Sequence, residues 1–304
     1  MNGILAIDKP VGLTSHDVVV HVRRLTKIRK VGHTGTLDPF ATGVLLVCVG
    51  MATRLSSYLS KEEKEYVGRL RFGLETDTLD ATGRVIKSLP VPPMDRSAVE
   101  KILSQMCGSI LQQIPIFSAA KRKGIPMYRR AHKGETSVDA GTKHVFIHQL
   151  ELLEMESPYL DLRVVCSAGT YIRMLAADIG RALGSCAHLS ALRRIRCGGI
   201  GLDSSITMEQ MKADAAAHRL DSHIIPMAQA LPSIPSIKVD QHDTARIRSG
   251  QMLYQRGLSN PLPGGLIKIL DYQGNLVAVG RLRGEDPNSV ICPVRVFPEK
   301  NREC

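Results

Sequence analysis

Asp38 stands in the string KVGHTGTLDPFATG, with His33 and Thr34 before it, Pro39 after it, and Gly32, Gly35 and Gly43 around it. A carboxylate in such a loop can act as a covalent nucleophile toward an electrophilic carbon, provided a cation holds it ionised and aimed. Arg173, in SAGTYIR, is the distant candidate for that cation. A second reading requires no chemistry, because an aspartate before proline commonly caps a helix whose first position the proline fills. The setting favours the first reading, since the glycines permit close backbone approach and a cap does not need clustered polar groups beside it. A metal site is a weaker candidate: Cys186, His188 and Cys197 lack a second close-spaced pair of ligands, and buried thiols explain them as well.

These residues need elements to position them. Thr14 and Asp17 have the spacing of a capping box, and Val18, Val22 and Leu25 follow at helical intervals, ending in the basic group Arg23, Arg24, Lys27, Arg29 and Lys30. The apolar run VLLVCVG after Asp38 reads as a buried strand, so the Asp38 loop is delivered onto a sheet. From Lys64 the pattern alternates, with Tyr66, Leu70, Phe72 and Leu74 on one face and Val67, Arg69 and Arg71 on the other. Asp95 caps a helix through Val99, Ile102, Leu103 and Met106. Residues 119–133 carry six Lys or Arg and no acid, broken by Gly124 and Pro126, and read as a basic loop. Strands are expected at 145–153 and 160–166. Thr170 is expected to open a helix with the core stripe Ile172, Leu175, Ile179 and Leu183, closed by Gly184. Thr207 and Gln210 form another capping box, and Pro232 and Pro235 then turn the chain into a small β-rich module of about 65 residues, with Tyr272 to Asn275 as a turn.

The composition narrows the class of partner. The chain has 304 residues, of which 43% are hydrophobic, enough for two domains with real cores. Its 40 Lys and Arg against 29 Asp and Glu leave a net charge of +11, which favours a polyanionic partner, nucleic acid first. With five Phe, seven Tyr and no Trp, a surface that binds single strands by stacking alone is disfavoured. Seven scattered cysteines fit reduced thiols in a cytosol. The start of the chain lacks the apolar region of a secretory signal, and no stretch reaches the ~20 apolar residues of a membrane span, so a cytoplasmic location away from membranes is expected.

The strings GILAIDKPVGLTSHDVV, KVGHTGTLDPFATGVLLVCVG, KEYVGRLRFGLETDTLDATG, CSAGTYIRMLAADIGRALG and AHLSALRRI, in this order over residues 3 to 200, resemble the TruB family, bacterial tRNA pseudouridine synthases acting on position 55. The resemblance implies an α/β (α+β) fold with a mixed, largely antiparallel central sheet and flanking helices, over 1–231. It also implies a PUA-like RNA-binding β-barrel over 232–304 and an RNA-gripping insertion at about 114–153. Before the SA of this insertion the family usually has Pro-Pro, whereas here Ile116 follows Pro115.

The same resemblance assigns roles. Asp38 matches the catalytic aspartate, and Arg173 its arginine partner, expected as a bidentate fork. Tyr66 matches the tyrosine that stacks on the target base and takes part in proton removal from C5. His33 matches the histidine that enters the space left by the flipped base, while Tyr171 and Leu192 match residues lining the uracil pocket. Arg54 stands where many members have a lysine near RNA. Lys9 and Pro10 are read as structural supports of the catalytic loop, and Asp80 as a residue behind the site or against RNA. Lys121, Arg122, Lys123, Arg129, Arg130, Arg193 and Arg194, with Arg196, are expected to neutralise phosphates. The reaction involves no redox change, so neither cofactor nor metal is expected. The implied partner is the T stem-loop of tRNA, bound by a monomer with no obligatory protein partner. Three other readings stay open: the catalytic subunit of a guide-RNA particle, a non-enzymatic tRNA-binding or folding protein, and a metal-dependent nuclease. Attack at C1′, attack at C6 and proton abstraction at C2′ are equally compatible with the sequence.

Overall fold

The computed structural model describes residues 1–93, 95–118, 120–122, 124–127, 140–254, 265–284 and 290–298. In chain order the first half contains β1 (Gly3–Lys9), α1 (Ser15–Thr26), β2 (Val31–His33), β3 (Thr42–Val49), the short helix α2 (Ser56–Leu59), β4 (Lys64–Phe72), β5 (Leu74–Thr76), β6 (Val85–Ser88), α3 (Arg96–Gln105) and β7 (Gly108–Gln113). After a small hairpin, β8 (Lys121–Arg122) and β9 (Ile125–Pro126), come β10 (Thr142–Glu156), β11 (Tyr159–Cys166), α4 (Ile172–Ala182), β12 (Ala187–Cys197), β13 (Ile200–Gly201), β14 (Ile206–Thr207) and α5 (Met208–Ala216).

The main sheet runs β14-β1-β3-β12-β4-β11-β10-β7, with β2 beside β3 and β13 beside β12. β1 with β14 and β3 with β12 are parallel and the remaining pairs antiparallel, which is the mixed, largely antiparallel sheet expected. β3 is continuously apolar because both of its faces are covered. Leu45, Val47 and Val49 join the core under α1 and α4, while Val44, Leu46 and Cys48 join a second core that includes Leu276, Val279 and Phe297 of the C-terminal module.

The capping boxes at Thr14 and Thr207 form as expected, and Asp95 caps α3. Thr170 does not cap α4: its hydroxyl donates to Ser167 O at 2.9 Å, and Tyr171 takes the cap position without a side-chain bond. Within the 114–153 expected as an insertion, residues 142–153 belong to β10, which pairs with both β11 and β7.

From Ser236 onward the strands β15 (Ser236–Lys238), β16 (Leu253–Tyr254), β17 (Leu266–Leu270), β18 (Leu276–Arg283) and β19 (Val290–Val296) form a second sheet of five, in the order β15-β17-β18-β19-β16. It is joined by a helix, α6 (Gln241–Arg248), that the sequence pattern did not suggest. The module is pinned to the main body by Lys268 Nζ, which donates to Ala228 O at 3.0 Å and Leu231 O at 2.8 Å. No helix among the described residues is long and apolar enough to cross a membrane.

Candidate active site

The loop carrying Asp38 is fixed from three sides. Ser15 Oγ accepts from Leu37 N at 2.8 Å and donates to Leu37 O at 3.1 Å. The fully buried Lys9 donates to Pro10 O at 2.9 Å, Leu13 O at 2.8 Å and Pro39 O at 3.4 Å. From β12, Arg194 donates to Val44 O at 2.7 Å and Gly35 O at 3.1 Å. Ala41 N donates to Asp38 O at 3.0 Å, closing a turn with Pro39 in its second position, where a fixed φ is favourable. No helix follows Asp38, so the capping alternative falls. Gly43 is the loop glycine that close approach requires: its φ is +101°, and a Cβ there would lie 2.1 Å from Arg194 O. Gly32 and Gly35 face no such crowding.

Arg173, in the first turn of α4, is nearly buried and places Nε 2.9 Å from Asp38 Oδ2. Its other nitrogens go to Thr78 O and Phe117 O, each at 2.7 Å, with Asp80 Oδ2 3.6 Å from Nη1. The two terminal nitrogens of the guanidinium are thus anchored by backbone carbonyls, with Nε turned to the carboxylate. Asp80 is buried behind Arg173, its Oδ1 accepting from Thr78 Oγ1 at 2.7 Å, Thr82 Oγ1 at 2.6 Å and Thr82 N at 2.9 Å, so it supports the arginine and is not an RNA contact. Burial in the cleft pushes the Asp38 pKa above the ordinary carboxylate value, Arg173 opposes that shift, and the charge of Asp80 adds to it.

Tyr66 enters the cleft from β4, beside Leu192 and Arg194 of β12. Burial pushes its phenol pKa up to about 12, with Arg194 pulling the other way, so the hydroxyl is protonated at neutral pH. Tyr171 is held by Gln112, whose amide accepts from Tyr171 N at 2.8 Å and donates to Tyr171 O at 3.1 Å. Asp38, Tyr66, Tyr171, Arg173 and Leu192 thus line one cleft, of about 240 Å³. That is below the ~300–1,000 Å³ of sites for drug-sized ligands, and suits a fragment the size of one base. A larger cleft of about 600 Å³, lined by Asn2, Met51, Asp271 and Phe297 where the two modules meet, contains none of these residues.

His33 is not part of the cleft lining; its Nδ1 is buried without a hydrogen-bond partner, and burial lowers its pKa, keeping the imidazole neutral. Arg54 donates to Val296 O at 2.7 Å, a tie to the C-terminal module, and the residue is exposed. Arg193 forks onto Asp8 at 2.7 and 3.1 Å, Arg194 is buried, and Arg196 bonds Glu65 at 2.7 Å and Glu63 at 2.9 Å. Arg193 and Arg196 are thus ion-paired within the protein, while Arg194 is held by backbone carbonyls alone. Lys123, Arg129 and Arg130 lie outside the described residues, as do the side chains of Lys121 and Arg122. No group of three or more His, Cys, Asp or Glu is placed to hold a metal among the described residues.

Sequence reasoning missed Lys64, Ser60 and Ser118, which also line the cleft. The alternation of β4 carried a signal for Lys64, because it shares a face with Tyr66.

Two adjoining family models match the chain: the N-terminal domain of TruB family pseudouridylate synthase over residues 23–172, and the C-terminal domain of tRNA pseudouridylate synthase B over 173–232. A tRNA pseudouridine synthase B of Solibacter usitatus is 40% identical over 282 residues, 93% of this chain and 96% of that one. Its namesake from Caldanaerobacter subterraneus is 39% identical over 298 residues, 98% and 99% of the two chains. Among solved structures, an H/ACA RNP bound to a substrate RNA containing 2′-deoxyuridine contains a chain with TM-score 0.76 and 26% identity, covering 98% of this chain and 86% of that one. A Cbf5-Nop10-Gar1 complex contains another, with TM-score 0.73 and 27% identity, covering 97% and 84%. With its carboxylate and arginine meeting in a base-sized cleft, this chain belongs to the TruB family of pseudouridylate synthases.

Proposed function

We propose that the chain converts uridine 55, in the T loop of tRNA, to pseudouridine as a monomeric cytoplasmic enzyme that needs no guide RNA. The carrying observation is the 2.9 Å contact between Arg173 Nε and the Asp38 carboxylate in a cleft that takes one base. The name shared by relatives of nearly the same length supports a tRNA substrate over the guided reading suggested by the RNA-protein particles of similar fold.

In this reading the uridine leaves its stack to enter the cleft, because the glycosidic bond cannot be reached inside a folded loop. Tyr66 and Leu192 receive the base between apolar surfaces, and Asp38 meets the nucleoside. A carboxylate there can attack C1′ or C6, or remove the proton at C2′; each route requires it ionised, which is what Arg173 secures. The N1 to C1′ bond breaks, the freed uracil turns, and a C5 to C1′ bond forms. The hydrogen of C5 is released and N1 gains a proton, so atoms balance without an oxidant or reductant. The protonated Tyr66 acts as a stacking surface and a proton-bearing hydroxyl and not as a phenolate base.

The test of position is an unmodified tRNA transcript treated with the pure protein and mapped for pseudouridine nucleotide by nucleotide. Modification confined to position 55 supports the reading; modification elsewhere, or only after a guide RNA is added, overturns it.

A further inference from the structure

Lys64 lies two residues before Tyr66 on the same face of β4 and lines the cleft, yet the chemistry above gives it no task. The residue is only 5% exposed. Nζ donates to Ser60 O at 2.6 Å and to Glu62 O, which leaves one of its three protons directed elsewhere. The strand neighbours opposite Lys64 are Cys166 and Cys197, which bring no negative charge to it. Of the nearby acids, Glu62 acts on Lys64 as a minor charge and forms no ion pair with it, its carboxylate accepting from Ser233 at 2.7 Å, while Glu63 and Glu65 accept from Arg196 at 2.9 and 2.7 Å.

Arg194 is its counterpart. It is 2% exposed, it donates to the carbonyls of Val44 and Gly35, and it also reaches the Tyr66 hydroxyl. A Cβ built on Gly35 would lie 3.6 Å from Arg194 Nη1 and 3.9 Å from Lys64 Cε, so both cations border the same backbone point of the catalytic loop. The cleft is therefore asymmetric in charge. On one wall Arg173 is balanced by Asp38 and Asp80; on the other, Lys64 and Arg194 are held by carbonyl oxygens, with no ion pair to either among the described residues. Two buried cations without an ion pair are costly unless an anion joins them.

We propose that Lys64, backed by Arg194 across Gly35, is a phosphate subsite that grips the RNA backbone beside the nucleotide whose base enters the cleft. A polynucleotide that delivers a base between Tyr66 and Leu192 must bring a phosphodiester within about one nucleotide of it, and this wall offers the matching charge. Burial also lowers the Lys64 pKa, so a bound phosphate favours its protonated state. The inference rests on the reading of the cleft as a uridine site.

The test uses the full-length protein and tRNA assembled with a single methylphosphonate, which removes one backbone charge, either 5′ or 3′ of the target uridine. Wild type is expected to lose affinity about tenfold or more with one of the two, as for a lost charge-assisted contact. Lys64→Gln, which keeps a donor for the carbonyls, is expected to bind unsubstituted tRNA as weakly as wild type binds that methylphosphonate tRNA, and to be indifferent to the substitution. Its dependence of log affinity on log salt is expected to be shallower by about one. Lys64→Arg should restore both the affinity and the sensitivity. If Lys64→Gln responds to each methylphosphonate as wild type does, the lysine serves only the Ser60–Glu62 turn and the subsite is refuted; the same holds if neither substitution affects wild type. Release of C5 hydrogen by wild type on the same tRNA separates the two failures, since its absence would overturn the uridine reading itself.

Discussion

Arg173 places Nε 2.9 Å from the Asp38 carboxylate, while its terminal nitrogens hold the carbonyls of Thr78 and Phe117 at 2.7 Å. The arginine is thus fixed by the backbone of two other segments before it touches the carboxylate. The Asp38 side chain stays 36% exposed, as a group that must meet substrate requires.

Arg173→Lys should be far from conservative, because one ammonium cannot span Thr78, Phe117 and Asp38 at once. We expect kcat to fall by at least about tenfold, ~1.4 kcal/mol of barrier, in single-turnover assays. Arg173→Ala leaves Asp38 and Asp80 without their cation and should also lower stability by about 3–5 kcal/mol in denaturant titration.

The pH dependence follows from Asp38. Its pKa in the folded protein is raised, so activity falls with acid at a pH above that of an ordinary aspartate, and kcat/KM against pH reads this directly. Asp80→Asn removes a charge that raises it and is expected to move that acid limb to lower pH.

A raised folded pKa also carries a stability sign. The folded state holds the Asp38 proton more tightly than the unfolded chain, so this group favours folding at low pH and loses that contribution as pH rises through its folded pKa. At neutral pH the ionised carboxylate is a stability cost, and Asp38→Asn should melt at the same or a higher temperature than wild type. A clear drop in Tm would mean that the Arg173 pairing outweighs burial.

Gly43→Ala should be among the most damaging single-methyl changes in the chain. The new Cβ would meet Arg194 O at 2.1 Å in a backbone with φ of +101°, where β3 and β12 run parallel. A loss of roughly 3 kcal/mol or more is expected from denaturant unfolding, with turnover falling because Arg194 also holds Gly35 O.

Much of this was legible in the sequence. The capping boxes, the doubly buried β3 and the alternating β4 follow from local chemistry and appear as expected. Asp38 and Arg173 could be paired because their motifs resemble a family's, not because spacing brings residues so far apart together. The geometry of the pair was hidden for the same reason: the carbonyls of Thr78 and Phe117 that take the arginine's fork come from remote segments. The ion pairs of Arg193 and Arg196 were not legible, because Asp8, Glu63 and Glu65 come from segments remote in sequence. α6 was missed because its residues, QHDTARIR, are almost all polar and show no apolar stripe.

The central claim is that Asp38 drives isomerisation of a uridine in RNA, and the hydrogen leaving C5 reports it most directly. A tRNA transcript with tritium at uracil C5 would be incubated with wild type and Asp38→Asn, in EDTA and without guide RNA. The account predicts release of about one equivalent per tRNA by wild type and none by Asp38→Asn, with the variant's affinity for tRNA kept within a few-fold. Substantial release by Asp38→Asn, or none by wild type despite tight binding, would contradict it.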